Sequence, residues 1–310
     1  AVLKSDWLTQ GPAIERFERK VADYCGARFA IAVSNATAAL HLACLGLGVR
    51  AGDKVWTSPN TFVASANCAR YCGADVAFID IDPDTYNLSV AALEARLEAA
   101  SKNGCVPKVV IPVHFSGQSC DMKAIHALAG RYGFSVLEDA SHAIGGRYDG
   151  KPIGNCEYAD AAVFSFHPVK IVTSGEGGMI VTNREDLYIH LLRLRSHGIT
   201  RDPLQMQGTA DGDWYYQQLE LGFNYRMTDL QAALGASQME RIDDFVSKRR
   251  SFAARYRAAL GKTGLVLPTE IHASQSAWHL YAVQTPTPEM RRPLFDRLRS
   301  AGIGVNVHYI

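Results

Sequence analysis

Short apolar runs that alternate with amphipathic or small-residue helical stretches constrain this chain more than any other feature. Phe29-Ala-Ile-Ala-Val33 reads as a buried strand, and Ala36 to Leu47 as a helix entered through Ser34-Asn35. Lys54 to Thr57 is strand-like and Thr61 to Tyr71 helical; Val76 to Asp80 is a strand. Val90 to Ala100 is a helix with Ser89 as its cap. Val109 to His114 is a strand in which Pro112 predicts an edge, a bulge or a strand end. Asp121 to Tyr132 is a helix, and Phe134 to Glu138, Ala161 to Phe166 and Met179 to Thr182 are strands. Strands that are apolar along their whole length are buried on both faces. Repeated β-α-β units of this kind predict an α/β fold with a mostly parallel sheet between helical layers. Ligands of such sheets bind beyond the carboxyl ends of the strands.

Beyond residue 228 the pattern changes. A helical run from Thr228 to Leu260 suits a link between two units, with a break near Gly235 or Asp243. A smaller α+β unit follows: a strand over Leu280 to Thr285, a helix over Arg291 to Ala301, and a strand over Val305 to Ile310. The division predicted is 1–235 and 236–310. The chain stops inside its last apparent strand, which reads as truncation at the C-terminus.

Phe29 to Val49 has the length of a membrane span, but Ser34, Asn35, Thr37 and His41 interrupt it. A strand, a polar turn and a helix account for it better, so no membrane role is expected. Ala1 to Thr9 has no apolar core of the signal-peptide type. The formal net charge is +1, which offers no electrostatic support for nucleic-acid binding. Seven cysteines without CxxC spacing read as reduced thiols, in keeping with a cytoplasmic protein.

One lysine stands apart. Lys170 sits in Val163-Phe-Ser-Phe-His-Pro-Val-Lys-Ile-Val-Thr-Ser-Gly-Glu-Gly-Gly178, an apolar and small-residue setting. Desolvation lowers the pKa of an ammonium and makes the amine a usable nucleophile. Upstream, the strand-like run that begins at Phe134 ends in the carboxylate of Asp139. A lysine that can form a Schiff base and an acid that can partner a pyridinium nitrogen suggest pyridoxal phosphate (PLP) chemistry. Ser34-Asn35-Ala36-Thr37 opens a helix, where free N–H groups suit either a phosphate or a simple cap. Ser165 is a further candidate phosphate donor, and Gly175 to Gly178 permit a tight turn beside the lysine. No GxGxxG follows the first strand, which disfavours a nicotinamide enzyme. His41, His126 and His190 read as packing or surface residues, and Lys248-Arg-Arg250 as a solvated helix face.

Taken jointly, Glu138-Asp-Ala-Ser-His-Ala-Ile-Gly-Gly, Phe164-Ser-Phe-His-Pro-Val-Lys, Gly175-Glu-Gly-Gly and Phe223-Asn-Tyr-Arg-Met-Thr-Asp resemble the DegT/StrS-type sugar aminotransferases, over essentially the whole chain. That resemblance implies a fold type I PLP-dependent transferase. It implies Lys170 as the Schiff-base lysine and Asp139 as the pyridinium partner. Phe62 would lie over the ring face and His142 at its polar edge. Ala36, Thr37 and Ser165 would cradle the phosphate. Asn224 would reach the phosphate from a neighbouring subunit, hence a homodimer with shared active sites. His308 would contact the sugar. From their own chemistry Arg226 and Arg201 suit a diphosphate of the substrate and surface ion pairs equally well. The segments Ser34 to Leu40, Trp56 to Asn67, His114 to Met122 and Ser196 to Arg201 resemble the pseudaminic acid branch. There an amino group, from glutamate by analogy, goes to the C4 ketone of a UDP-linked 6-deoxy sugar bearing an N-acetyl group. A dTDP-linked sugar, or a PLP-binding regulator without turnover, would be the alternatives. Many relatives have Gly-Thr where this chain has Ala36-Thr37, and the chain reads as lacking the family's first and last segments. Lysine rather than histidine at 170 argues against the related dehydratases, which cannot hold the cofactor covalently.

Overall fold

The central apolar runs form strands because they are covered on both sides. In β8, below, Ala162 and Phe164 pack into one core cluster while Ala161 and Val163 pack into another. The period-two alternation of side chains therefore serves two cores at once. The computed structural model describes residues 2–309.

In chain order the elements are α1 (Pro12–Cys25), β1 (Phe29–Val33), α2 (Ala36–Gly46), β2 (Lys54–Thr57), α3 (Ala64–Tyr71), β3 (Asp75–Phe78), α4 (Val90–Ser101), β4 (Val109–Ile111), α5 (Met122–Tyr132) and β5 (Ser135–Asp139). There follow β6 (Arg147–Tyr148), β7 (Lys151–Pro152), β8 (Ala161–Ser165), β9 (Gly178–Thr182), α6 (Glu185–Arg195), β10 (Ile199–Thr200) and β11 (Gln217–Gln218). The last elements are α7 (Asp229–Met239), α8 (Ile242–Leu260), β12 (Ser274–Gln275) and α9 (Pro288–Ser300).

Seven strands form one sheet in the order β1-β9-β8-β5-β4-β2-β3. β3, β2, β4, β5 and β8 are parallel neighbours, and β9 runs against both β8 and β1. Only β9 is reversed, so β1, β2, β5 and β8 all end at one edge of the sheet, where β9 begins. The expected α/β architecture is present. The stretch from Phe29 to Val49 resolves into β1, a turn and α2, and no helix among the described residues is long and apolar enough to cross a membrane.

Several local expectations change. Pro112 does not mark an edge, because β4 lies inside the sheet between β2 and β5. It interrupts the strand instead: its carbonyl accepts from the Asp139 N–H (2.9 Å), but it has no N–H to give to β5, and the pairing resumes only as a single Val113–Asp139 bridge. The long helical run divides at Glu240–Arg241, not at Gly235, which stays in α7 facing the Phe17 ring. Leu280 to Thr285 makes a single bridge, Val266 to Gln284, and residues 305–309 form no strand. A strand needs a paired neighbour, and among the described residues neither segment has a continuous one. Ile310 lies outside the described residues.

Candidate active site

The site lies at the shared strand edge and is built on backbone geometry. Ser165 is the register partner of Gly178, and so is Val33. A Cβ on Gly178 would sit 2.4 Å from the Asn35 carbonyl oxygen and 2.7 Å from the Ala36 nitrogen. Only glycine lets β9 begin against the first turn of α2. That contact brings Ser165 beside Ala36 and Thr37. The Asn35 side chain caps α2 by accepting from the Ala38 N–H (2.9 Å). The polar entry to the helix is thus a cap, while the Ala36 and Thr37 amides remain available to an anion at the positive helix end.

Lys170 sits in the loop joining β8 to β9. The Phe166 N–H donates to Gly177 O and the Ser174 N–H to Phe166 O (both 2.9 Å), and the Lys170 N–H closes a turn on His167 O (2.9 Å). The neck of the loop is pinned, so the lysine has a defined place. Burial lowers its pKa to about 8, against the opposing attraction of Asp139, which favours the ammonium.

Asp139 is 5% exposed and ends β5. Its carboxylate accepts from Ser65 Oγ at 2.6 Å and from the Ser141 N–H at 3.1 Å. Ser65 gives its one proton to Asp139, so Thr61 Oγ1, 2.7 Å from Ser65 Oγ, is the donor to Ser65. The relay Thr61 to Ser65 to Asp139 was not foreseen. Its signal in the sequence was the pair of hydroxyls one helical turn apart. Phe62 lies between them in sequence and is 59% exposed.

His142 is buried, and its Nε2 lies 3.2 Å from the Tyr309 hydroxyl. Its pKa is driven well below the ordinary range, first by burial and then by Lys170, His279 and His308. Burial and Lys170 also lower His308. Tyr309 is pushed up to about 12 by burial and the charge of Asp139. Lys170, Asp139, His142 and His308 therefore share one electrostatic neighbourhood, joined by His279 and Tyr309, which the sequence did not single out.

Other predicted residues lie elsewhere. Asn224 is exposed and bridges Ser196 through its backbone. Arg226 lines a separate cavity of about 460 Å³ with Trp7, Glu18 and Arg195. Arg201 is exposed and lies over the Tyr216 ring at 5.9 Å. Within one chain these three do not join the Lys170 cluster. Two residues of the Lys248 to Arg250 run are not a solvated face. Arg249 Nη1 donates to the Trp278 and His279 carbonyls (3.2 and 3.0 Å), and Arg250 Nε to Ser276 O (3.1 Å).

A phosphorylated pyridine aldehyde fits what is present. Among the described residues six buried side-chain atoms lack a partner, and Ser58 Oγ, Ser116 Oγ, His142 Nδ1 and His279 Nδ1 are four of them. Native proteins seldom leave such atoms unpaired. Asp139 pairs in register with Val163, two residues short of Ser165. That leaves about 7 Å along the strand for a ring below and a phosphate above.

A parallel-rich sheet with a depressed lysine and a buried acid at its carboxyl edge defines the PLP-dependent transferase class. The chain belongs to the DegT/DnrJ/EryC1/StrS aminotransferase family, whose profile matches residues 1–310. It is 40% identical over 313 residues to the spore coat polysaccharide biosynthesis protein SpsC of Bacillus subtilis (99% of this chain, 78% of the relative). It is 39% identical over 312 residues to the UDP-4-amino-4,6-dideoxy-N-acetyl-beta-L-altrosamine transaminase of Campylobacter jejuni (99% and 78%). It is also 39% identical over 284 residues to the GDP-perosamine synthase of Caulobacter vibrioides (91% and 71%). A DegT DnrJ EryC1 StrS aminotransferase from Brucella abortus superposes with a TM-score of 0.89 at 31% identity (100% of this chain, 79% of that one). The aminotransferase PseC of Helicobacter pylori, involved in the biosynthesis of pseudoaminic acid, superposes with a TM-score of 0.90 at 28% identity, covering 100% of this chain and 80% of that one. The protein is a PLP-dependent sugar aminotransferase.

Proposed function

We propose that this enzyme moves an amino group from glutamate to the C4 ketone of a UDP-linked 4-keto-6-deoxy-N-acetylhexosamine. The observation that carries the site assignment is the partly desolvated Lys170 amine facing the buried, doubly hydrogen-bonded Asp139 at the strand edge. The altrosamine transaminase and PseC relatives support the sugar.

In this proposal Lys170 holds PLP covalently through Nζ. The amides of Ala36 and Thr37 and the Ser165 hydroxyl hold its phosphate. Phe62 covers the ring and His142 meets its polar edge. When bound, the cofactor supplies an electron-accepting ring and a carrier for the amino group. Asp139 keeps a proton on the ring nitrogen, and Ser65 and Thr61 keep the carboxylate oriented toward it. Once the donor's amino group has displaced it from the cofactor, the Lys170 amine would carry a proton from the donor α-carbon to the cofactor's reactive carbon, and in the second half-reaction from that carbon to C4 of the sugar. The two half-reactions use the same groups in reverse order.

Asn224 and Arg226 stand outside their own chain's cluster, and we assign them to the site of a second copy. Asn224 reaches the phosphate there, and His308 and Arg226 contact the sugar nucleotide. The organisation into 1–235 and 236–310 belongs to the same proposal; its boundary falls inside α7, and the nearest helix break lies a few residues later, at Glu240–Arg241. So does a cytoplasmic location, supported by seven free cysteines.

Mass analysis of products from the purified protein, glutamate and a panel of UDP-, dTDP- and GDP-linked keto-sugars tests the substrate. A one-step gain of an amine on the UDP sugar is expected. Selective amination of the GDP sugar would instead place the chain with the perosamine synthase.

A further inference from the structure

We infer that His279 is a positioning residue that holds the plane of the His142 ring. This rests on the proposed placement of His142 at the cofactor's polar edge. The ring centroids of His142 and His279 are 4.5 Å apart at an interplanar angle of 43°. The other aromatic neighbours of His142, Phe115 and Tyr309, stand farther away at 6.3 and 6.4 Å. Rotating the His142 ring about Cβ–Cγ drives its edge into His279. Together with the Tyr309 hydroxyl, 3.2 Å from His142 Nε2, the contact selects one ring plane.

The support behind His279 is a set of backbone clamps. Arg249 of α8 donates to its carbonyl and to that of Trp278. The Ala277 N–H donates to Gly117 O (3.0 Å) and the Leu280 N–H to Ser116 O (3.3 Å). Gly117 has φ +102°. A Cβ there would lie 2.9 Å from Trp278 N, 3.0 Å from His142 O and 3.1 Å from His279 N. Three backbones meet at this glycine, so His279 and His142 are fixed relative to each other through main chain. The segment that carries His279 comes from beyond α8, while His142 follows β5. Two distant parts of the chain thus converge on one ring.

The imidazole of His279 makes no side-chain hydrogen bond among the described residues, and its Nδ1 is buried without a partner. Its contribution to His142 is the ring face. Burial, Lys170, Arg249 and His308 push its pKa down to about 3, so it adds no proton of its own at neutral pH. A neutral face against a neutral ring leaves His142 Nδ1 as an undisturbed polar contact.

Four variants and three readouts test this. In the apoenzyme, nitrogen NMR of a labelled protein should show a single His142 ring state, which His279→Ala converts to an averaged one. In the holoenzyme, His279→Ala should shift the absorbance of the bound cofactor as His142→Ala does, and lower kcat about tenfold with a smaller change in KM. The double variant should fall no further than His142→Ala alone, because both act through one contact. His279→Phe keeps an aromatic face and should restore most of the lost rate. Losses that add in the double variant, an unchanged His142 signal in His279→Ala, or failure of phenylalanine to rescue in a folded protein would overturn the inference. Borohydride reduction of the wild-type holoenzyme, followed by peptide mass analysis, separates this from the site assignment. A phosphopyridoxyl tag absent from Lys170 would remove the assignment itself, whatever His279 does.

Discussion

In the proposed mechanism Lys170 is the group on which the chemistry turns, and its amine should be measurably different from every surface lysine. With a pKa of about 8, about a quarter of the amine is unprotonated at pH 7.5; at the ordinary value of 10.5 the fraction would be about one in a thousand. Lys170 in the apoenzyme should therefore react with an aldehyde and a mild reductant roughly two hundredfold faster at that pH than a lysine of ordinary pKa, other factors equal. Quantitative peptide mass spectrometry across pH 6 to 11 gives its midpoint. Asp139→Asn should move the midpoint below 8, because the carboxylate favours the charged form. The same shift has a stability consequence. The folded-state value lies below the unfolded one, so the unfolded chain binds more protons between them and stability rises as pH climbs from about 8 to 10.5. Below pH 8 the buried ammonium costs on the order of 2–3 kcal/mol after allowance for its partial exposure. Lys170→Met should melt higher than the wild-type apoenzyme at pH 7, with the gap closing toward pH 10.5. A Lys170 labelling midpoint equal to that of the surface lysines would refute the argument.

Three further outcomes are expected. Ser65→Ala removes a 2.6 Å bond to a buried carboxylate and should cost about 1.5–3 kcal/mol in thermal or denaturant melts, with kcat reduced at least tenfold; an unimpaired enzyme would separate Ser65 from the acid's function. Gly178→Ala places a Cβ against the Asn35 carbonyl and should weaken cofactor retention in equilibrium dialysis more than it changes helix content by circular dichroism. Mixing inactive Lys170→Ala and Asn224→Ala subunits after dissociation should restore up to about a quarter of wild-type activity, the statistical yield of sites with both residues in a shared-site dimer; no recovery despite demonstrated subunit exchange would count against Asn224 acting across subunits.

Much of the scaffold was legible because its signals are local. Apolar runs such as Phe29 to Val33 and Ala161 to Ser165 can only be buried strands, and caps such as Ser89 act within a few residues. The expectations that changed depended on partners. Pro112 could mark an edge or an end, and only the position of β4 between β2 and β5 decided between them. Residues 305–309 have strand-like composition, yet no neighbouring strand pairs with them. The arginines at 249 and 250 look like any exposed charged run until the backbone of residues 276–279 is brought beneath them.

The site divides the same way. Lys170, Asp139 and the α2 entry are recognisable in the chain because their spacing along alternating elements sends them to one edge of a parallel sheet. The hydroxyl relay onto Asp139, the histidine pair and the place of Tyr309 are contacts between residues separated by tens to more than a hundred positions. Side-chain periodicity determines which face a residue takes. Only the packed tertiary structure decides which other side chain it meets there, because that depends on the relative placement of elements that share no local pattern.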